Sequence, residues 1–151
     1  MGISGSQKVK SEFIQIWLKS RILRPRQKDA EKIKSMILSA EINARVANNI
    51  PLNEDTATLV FRELYESIRQ LGDAKWWLQG YEPANHEISL ESLKELDIKE
   101  KIKLNSLDRF KKTRHDINYR GFRATIVQGQ EILDFWNNCG EEILRLLKKE
   151  L

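Results

Sequence analysis

The sequence predicts an all-α fold, an up-and-down antiparallel bundle of about five helices. Three observations lead there. Apolar residues recur at i, i+3, i+4 and i+7 through most of the chain, the spacing that lines one face of a helix. Only seven glycines and three prolines occur, too few for the many tight turns of an all-β chain. The segments between apolar stripes are short, which makes neighbouring helices antiparallel. At 151 residues the chain reads as one domain, 1–151, long enough to bury a core.

The elements follow in order. A basic first helix is expected over about residues 6–23, with Phe13, Ile14, Trp17 and Leu18 apolar. Residues 1–24 thus precede the bundle, and Pro25 ends the helix or kinks it. The second helix is expected over 27–48. Its stripe is Ile33, Met36, Ile37, Ala40, Ala44 and Ala47, and the small alanines allow close approach of another helix. Asn53 is the natural N-cap of the third, with Glu54 and Asp55 in its first turn. That helix runs to about Gln79 on a stripe of Ala57, Val60, Phe61, Leu64, Ile68, Leu71 and Leu78. Gly80 is its expected C′ residue. A shorter amphipathic piece covers 85–96, and Asp97 caps a helix over 98–120. Gly121 breaks the chain. A last helix covers 123–149, with Ile126, Leu133, Trp136, Ile143, Leu144 and Leu147 on one side. Gly129 and Gly140 share that side, where they permit close packing or a bend. No strand is expected.

Charge is unevenly spread. Residues 1–34 carry nine Lys/Arg against three acids, 50–100 five against eleven, and 101–151 eleven against seven. Such asymmetry fits ordinary solvated faces, a polyanionic partner, or association between opposite patches. The lone Cys139 has no cysteine to pair with, so a reducing cytoplasm is the expected compartment and a small buried thiol its expected state. No apolar run approaches membrane-spanning length, so no membrane partner is expected. The start has no apolar signal-peptide core; Gly2 with Ser6 matches a short, common acylation pattern. No Gly-rich phosphate loop, paired-carboxylate metal site or nucleophile–base triad occurs, so neither metal nor cofactor is expected.

The least ordinary stretch is "RFKKTRHDINYRG", residues 109–121. At about 100° per residue, with Leu104 at ~0°, Leu107, Phe110 and Ile117 fall between about 220° and 300°. Arg114 falls at about 280°, inside that apolar arc, with Asn118 at about 320°. His115 and Tyr119 lie at about 20° and 60°, on one edge, whereas Arg109 lies nearly opposite at about 140°. An unpaired charge in a core stripe is very costly. Arg114 therefore either meets a carboxylate, such as one on the third helix, or serves as a positioned guanidinium for phosphate.

The run "DTATLVFRELYESIRQLGDAKWWLQGYEPANHEISLESL", then "RFKKTRHDINYRG" and a closing helix, resembles a HEPN domain (higher eukaryotes and prokaryotes nucleotide-binding). The likeness is to the small prokaryotic or archaeal type, over roughly residues 27–150. It implies a HEPN-like bundle, commonly a homodimer. It also implies action on RNA or nucleotide phosphates, since many members are metal-independent ribonucleases of toxin or defence systems. Their motif is Arg, four to six residues, then His. Two registers compete: Arg109 with His115, or Arg114 with Tyr119 where the family has its His. The diverging directions of Arg109 and His115 favour the second. The resemblance then implies Arg114, His115 and Tyr119 as catalytic residues, and Arg114, Asn118, Arg120 and Lys111 as phosphate contacts. Tyrosine, with an ordinary pKa of about 10, is a poor base at neutral pH, so the altered motif implies binding more than cutting. An alternative it also implies is a non-catalytic module beside a minimal nucleotidyltransferase. Elsewhere, Trp76, Trp77 and Tyr81 form either core or a base-stacking surface, and His86 is a cap or loop hydrogen-bonder.

Overall fold

The computed structural model describes residues 5–151, with side chains from residue 12 onward. The Gly2/Ser6 pattern lies outside what is described. The elements are α1 (Gly5–Lys19), β1 (Leu23–Pro25), α2 (Ala30–Asn48), α3 (Ala57–Leu78), β2 (Tyr81–Pro83), 3₁₀ turns at Ser89–Glu95 and Lys101–Ser106, α4 (Leu107–Arg120), α5 (Ile126–Phe135), a π turn (Trp136–Gly140) and α6 (Glu141–Lys149). The fold is an all-α helical bundle.

Contacts along the helices give their directions. Asn48 bonds Asn137 at 2.8 Å, Lys148 bonds Glu41 at 2.6 Å, and Lys28 bonds the Glu150 carbonyl at 3.0 Å. α2 therefore runs antiparallel to the α5–α6 rod. The Ala124 N–H donates to Thr58 Oγ1 at 3.0 Å, and Lys111 reaches the turn after α3, so α4 runs antiparallel to α3. α3 is the central helix and packs against all the later ones. The shared core runs from Ile33 on α2 to Leu147 on α6. Phe110 bridges Phe61 and Phe135 edge-on at its middle.

Local chemistry explains most boundaries. Asp29 caps α2 by accepting from the Lys32 N–H. Thr125 and Gln128 form a reciprocal capping box that starts α5. Gly80 (φ 90°) and Gly121 (φ 68°) hold the left-handed conformation that stops a helix. Asn53 accepts from the N–H groups of Asp55 and Thr56. It thereby closes a turn before α3, and Glu54 and Asp55 sit in that turn rather than in the helix.

Three expectations are corrected. First, two short strands exist: Leu23 pairs with Pro83, Arg24 with Glu82 and Pro25 with Tyr81, antiparallel. Three residues carry no readable alternation, and each strand contains a proline that keeps its segment out of a helix. α1 accordingly stops at Lys19, before Leu23. Second, residues 98–106 are not α-helical. The Lys99 N–H donates to the Glu142 carboxylate at 3.0 Å, a tertiary anchor that replaces the helical first turn, and only a 3₁₀ stretch precedes α4. Third, the piece at 85–96 is 3₁₀ over Ser89–Glu95. Its Ser92 hydroxyl donates to the Gly72 carbonyl on α3 at 2.7 Å.

A second, smaller core lies at the strand pair. Leu23, Trp76 and Ile88 are buried there, and Ile14, Trp17, Leu18 and Tyr81 cover them. α1 thus packs on its own bundle. The Trp76 indole donates to the Ile88 carbonyl at 2.9 Å, and Trp77 lies buried beneath the Lys32 ammonium. Both tryptophans belong to the core and present no ring to a base. Cys139 is buried as well, and burial pushes its thiol pKa up.

Candidate functional site: the α3–α4 face

The sequence of α3 places Glu66, Arg69 and Asp73 at intervals of three and four, so all three lie on one helix face. Arg69 is only 8% exposed. Its Nε donates to Glu66 Oε2 at 3.0 Å, with a second contact from Nη2 to Glu66 Oε1. Nη1 donates to Asp73 Oδ2 at 2.5 Å and to His86 Nδ1 at 2.7 Å. Since a guanidinium can only donate, this contact assigns Nδ1 as acceptor and places a ring proton on Nε2. The exposed imidazole therefore points a donor outward. His86 does make a loop hydrogen bond, as one of its readings expected, although no α-helix begins there.

The electrostatics follow. Burial opposes the charge on Arg69, but the Glu66 hydrogen bond and the Asp73 carboxylate outweigh it and raise its pKa. The Arg69 hydrogen bond holds Glu66 below the usual carboxylate range. Asp73 goes the other way. Burial raises its pKa, and the Ser89 hydroxyl and Arg69 cation beside it do not cancel that. Its Oδ1 is buried without a hydrogen-bond partner.

Arg114 comes to this face from α4. The αL stop at Gly121 and the buried residues Leu107, Phe110 and Ile117 fix the rotation of that helix, as the wheel anticipates. The guanidinium is half-buried above the Tyr65 ring, 5.4 Å from its centre. With the Asn118 amide oxygen turned toward it, Nη1 donates at 3.0 Å and Nη2 at 3.3 Å. Burial raises the Tyr65 phenol, with Arg114 and Arg69 pulling it back. Arg114 forms no ion pair among the described residues. One turn away Arg69 holds Glu66 and Asp73, so Glu66, whose pKa Arg114 also helps to lower, is bonded to Arg69 instead. Lys111, one turn earlier, donates to the Glu87 carbonyl at 2.5 Å. Arg114, His86 and Lys111 thus line one open face around Glu66 and Arg69.

The other expected site residues lie elsewhere. His115 and Tyr119 are exposed, their rings tilted against each other with centres 4.8 Å apart. Arg120 is exposed, 4.0 Å from Asp116 and over the Phe122 ring. Arg114, Asn118 and Lys111 are brought together with α3; His115, Tyr119 and Arg120 are not. Arg109 leaves in the opposite direction and binds Glu131 on α5, Nε to Oε1 at 2.8 Å, so the Arg109–His115 register forms no common site. Sequence reading missed Arg69, Glu66 and Asp73, although two acids at −3 and +4 from one arginine were a readable sign of a shared helix face.

Two further surface clefts are present among the described residues. One of about 360 Å³ is bordered by Lys94, Lys101 and Asp108. A wider one of about 940 Å³ lies between α2 and α6 over Trp136. Neither cleft is lined by a half-buried cation that lacks an ion pair. Among the described residues no three His, Cys, Asp or Glu side chains gather as a metal site, and no helix is long and apolar enough to cross a membrane. The chain matches no family model, no curated protein and no solved structure.

Proposed function

We propose that this chain is a HEPN-like protein that binds RNA or nucleotide phosphates on the α3–α4 face, with Arg114 as the principal contact. One observation carries the reading. A half-buried guanidinium, held over Tyr65 and steadied by Asn118, has no carboxylate partner, while a neighbouring arginine holds two. Arg114 is thereby pre-positioned for an anion, and charge-assisted bonds from a fixed guanidinium are strong and directional. The His86 Nε2–H and the Lys111 ammonium add donors on the same face. An open face also suits an extended polyanion better than a small enclosed ligand.

The reading favours binding over cutting. His115 and Tyr119 sit apart from Arg114, and the Nδ1 of His86 is occupied by Arg69. A ribonuclease of a toxin or defence system is the more demanding version of the proposal, and a homodimer would join two such faces. Labelled RNA titrated at rising salt tests the binding. Arg114→Ala should weaken affinity about tenfold and lower the slope of log K against log salt by about one. Wild-type binding that ignores salt would sink the proposal. For the catalytic version, RNA is incubated in EDTA; cleavage no faster than that of Arg114→Ala removes it. The rival reading, an interaction module for a nucleotidyltransferase, has no observation of its own in its favour.

A further inference from the structure

We infer that the turn joining α4 to α5 is a stacking platform for unpaired bases, with Tyr119 and Phe122 as its rings. The inference rests on the phosphate-binding reading of the adjacent face and specifies the form of nucleic acid it accepts. Tyr119 is 74% exposed and Phe122 56%, and Ile126 and Val127 continue the apolar surface into α5. None of these belongs to either core. The two rings flank Gly121, whose left-handed φ of 68° turns the chain there.

Both rings have definite neighbours. His115 lies against Tyr119 at an interplanar angle of 42°, and Arg120 lies 6.0 Å from the Phe122 centre. The surrounding charge selects the partner. Residues 111–123 hold five Lys/Arg and a single acid, Asp116. Asp116 is 4.0 Å from Arg120, and Arg123 donates only to the Asp55 backbone carbonyl. Exposed rings interleaved with an excess of cations, of which only Arg120 has an acid beside it in this segment, match a strand that offers flat bases and phosphates in alternation. A duplex hides its base faces, so this surface discriminates against it. An uncharged protein partner would leave the cations without a role.

The test compares a fluorescein-labelled oligoadenylate with an RNA duplex of equal length, by anisotropy, on the full chain. The variants are Tyr119→Ala/Phe122→Ala and Tyr119→Phe/Phe122→Tyr. Wild type should prefer the single strand. The alanine pair should lose at least about tenfold in single-strand affinity. It should keep the wild-type salt slope, duplex affinity and melting temperature, and the aromatic swap should restore binding. Single-strand affinity unchanged by the alanine pair, with the salt slope intact, overturns the platform and leaves the Arg114 reading standing. Wild type that binds neither RNA overturns both. A wild-type dimer that the alanine pair dissociates, with RNA affinity unmoved, makes the surface a protein interface and also overturns the platform.

Discussion

Gly72→Ala should cost about 3–5 kcal/mol of stability, the scale at which packing errors become exceptional. The added Cβ would lie 2.1 Å from the Ser89 carbonyl oxygen and 2.7 Å from its carbon. Those are backbone atoms, and they cannot swing aside. The Ser92 hydroxyl ties the same turn to the Gly72 carbonyl, and the Trp76 indole ties it to α3 at Ile88. The gain in helix propensity, about 1 kcal/mol, does not offset such a clash. For a chain of this size the melting temperature should fall by roughly 10 °C. Gly129→Ala is the control. Its Cβ would meet the tip of Leu52 at 2.8 Å, and a flexible side-chain end can move, so its melting temperature should stay within about 3 °C of wild type. Equal melting of the two variants would contradict the close α3–Ser89 contact. If the α3–α4 face binds phosphate as proposed, the Gly72 variant should also weaken that binding, because His86 and Glu87 hang from the displaced turn.

Arg69→Met should be nearly as damaging, and its effect should depend on pH. Removing one partner of a buried ion pair costs about 3–5 kcal/mol, because the opposing charge is left in place. Here two carboxylates lose their cation. The Glu66 pKa is lowered in the folded chain. It therefore contributes stability above its unfolded value near 4.5, and that contribution is lost as pH falls through the folded value. The Asp73 pKa is raised, so its ionisation opposes folding once pH climbs above its unfolded value near 3.8. Without Arg69 the first contribution shrinks to what Arg114 and His86 supply, and the second penalty grows. The gap between variant and wild type should thus be widest at pH 7 and narrow toward pH 4. Urea midpoints at the two pH values measure it, and Arg69→Met/Asp73→Asn should recover part of the loss. A gap that does not change with pH would mean that the carboxylates are not what Arg69 neutralises.

Much of the bundle was legible because helical periodicity is local. The stripes of α2 and α3 pointed to the residues that are buried, and the rotation of α4 followed from Leu107, Phe110 and Ile117. The opposite directions of Arg109 and His115 were read from the same wheel, and the Arg109–Glu131 pair accords with them. Gly80 and Gly121 announced two helix ends through the conformation that glycine permits. The strands at 23–25 and 81–83 were not legible, because three residues show no period and their pairing is between distant segments. Nor were the 3₁₀ stretches, where the Ser92 hydroxyl ties its turn to α3 and the Lys99 N–H, just before the second stretch, bonds Glu142 on α6 instead of a local carbonyl.

By itself the sequence determined the helix count within one or two, the core stripes and the presence of a cation in the apolar arc of α4. Only the tertiary structure decided what that cation faces. A wheel reports direction around one axis and says nothing about the charges brought up by another helix. α3 carries Glu66, the carboxylate that feels the Arg114 charge, and also the arginine that bonds it first. Arg69 reaches Glu66 and Asp73 from the same helix at little cost in chain ordering, whereas Arg114 must approach them from across the bundle. That competition leaves Arg114 over Tyr65 with no ion pair of its own among the described residues, although Glu66 still feels its charge, and it is settled by packing rather than by spacing.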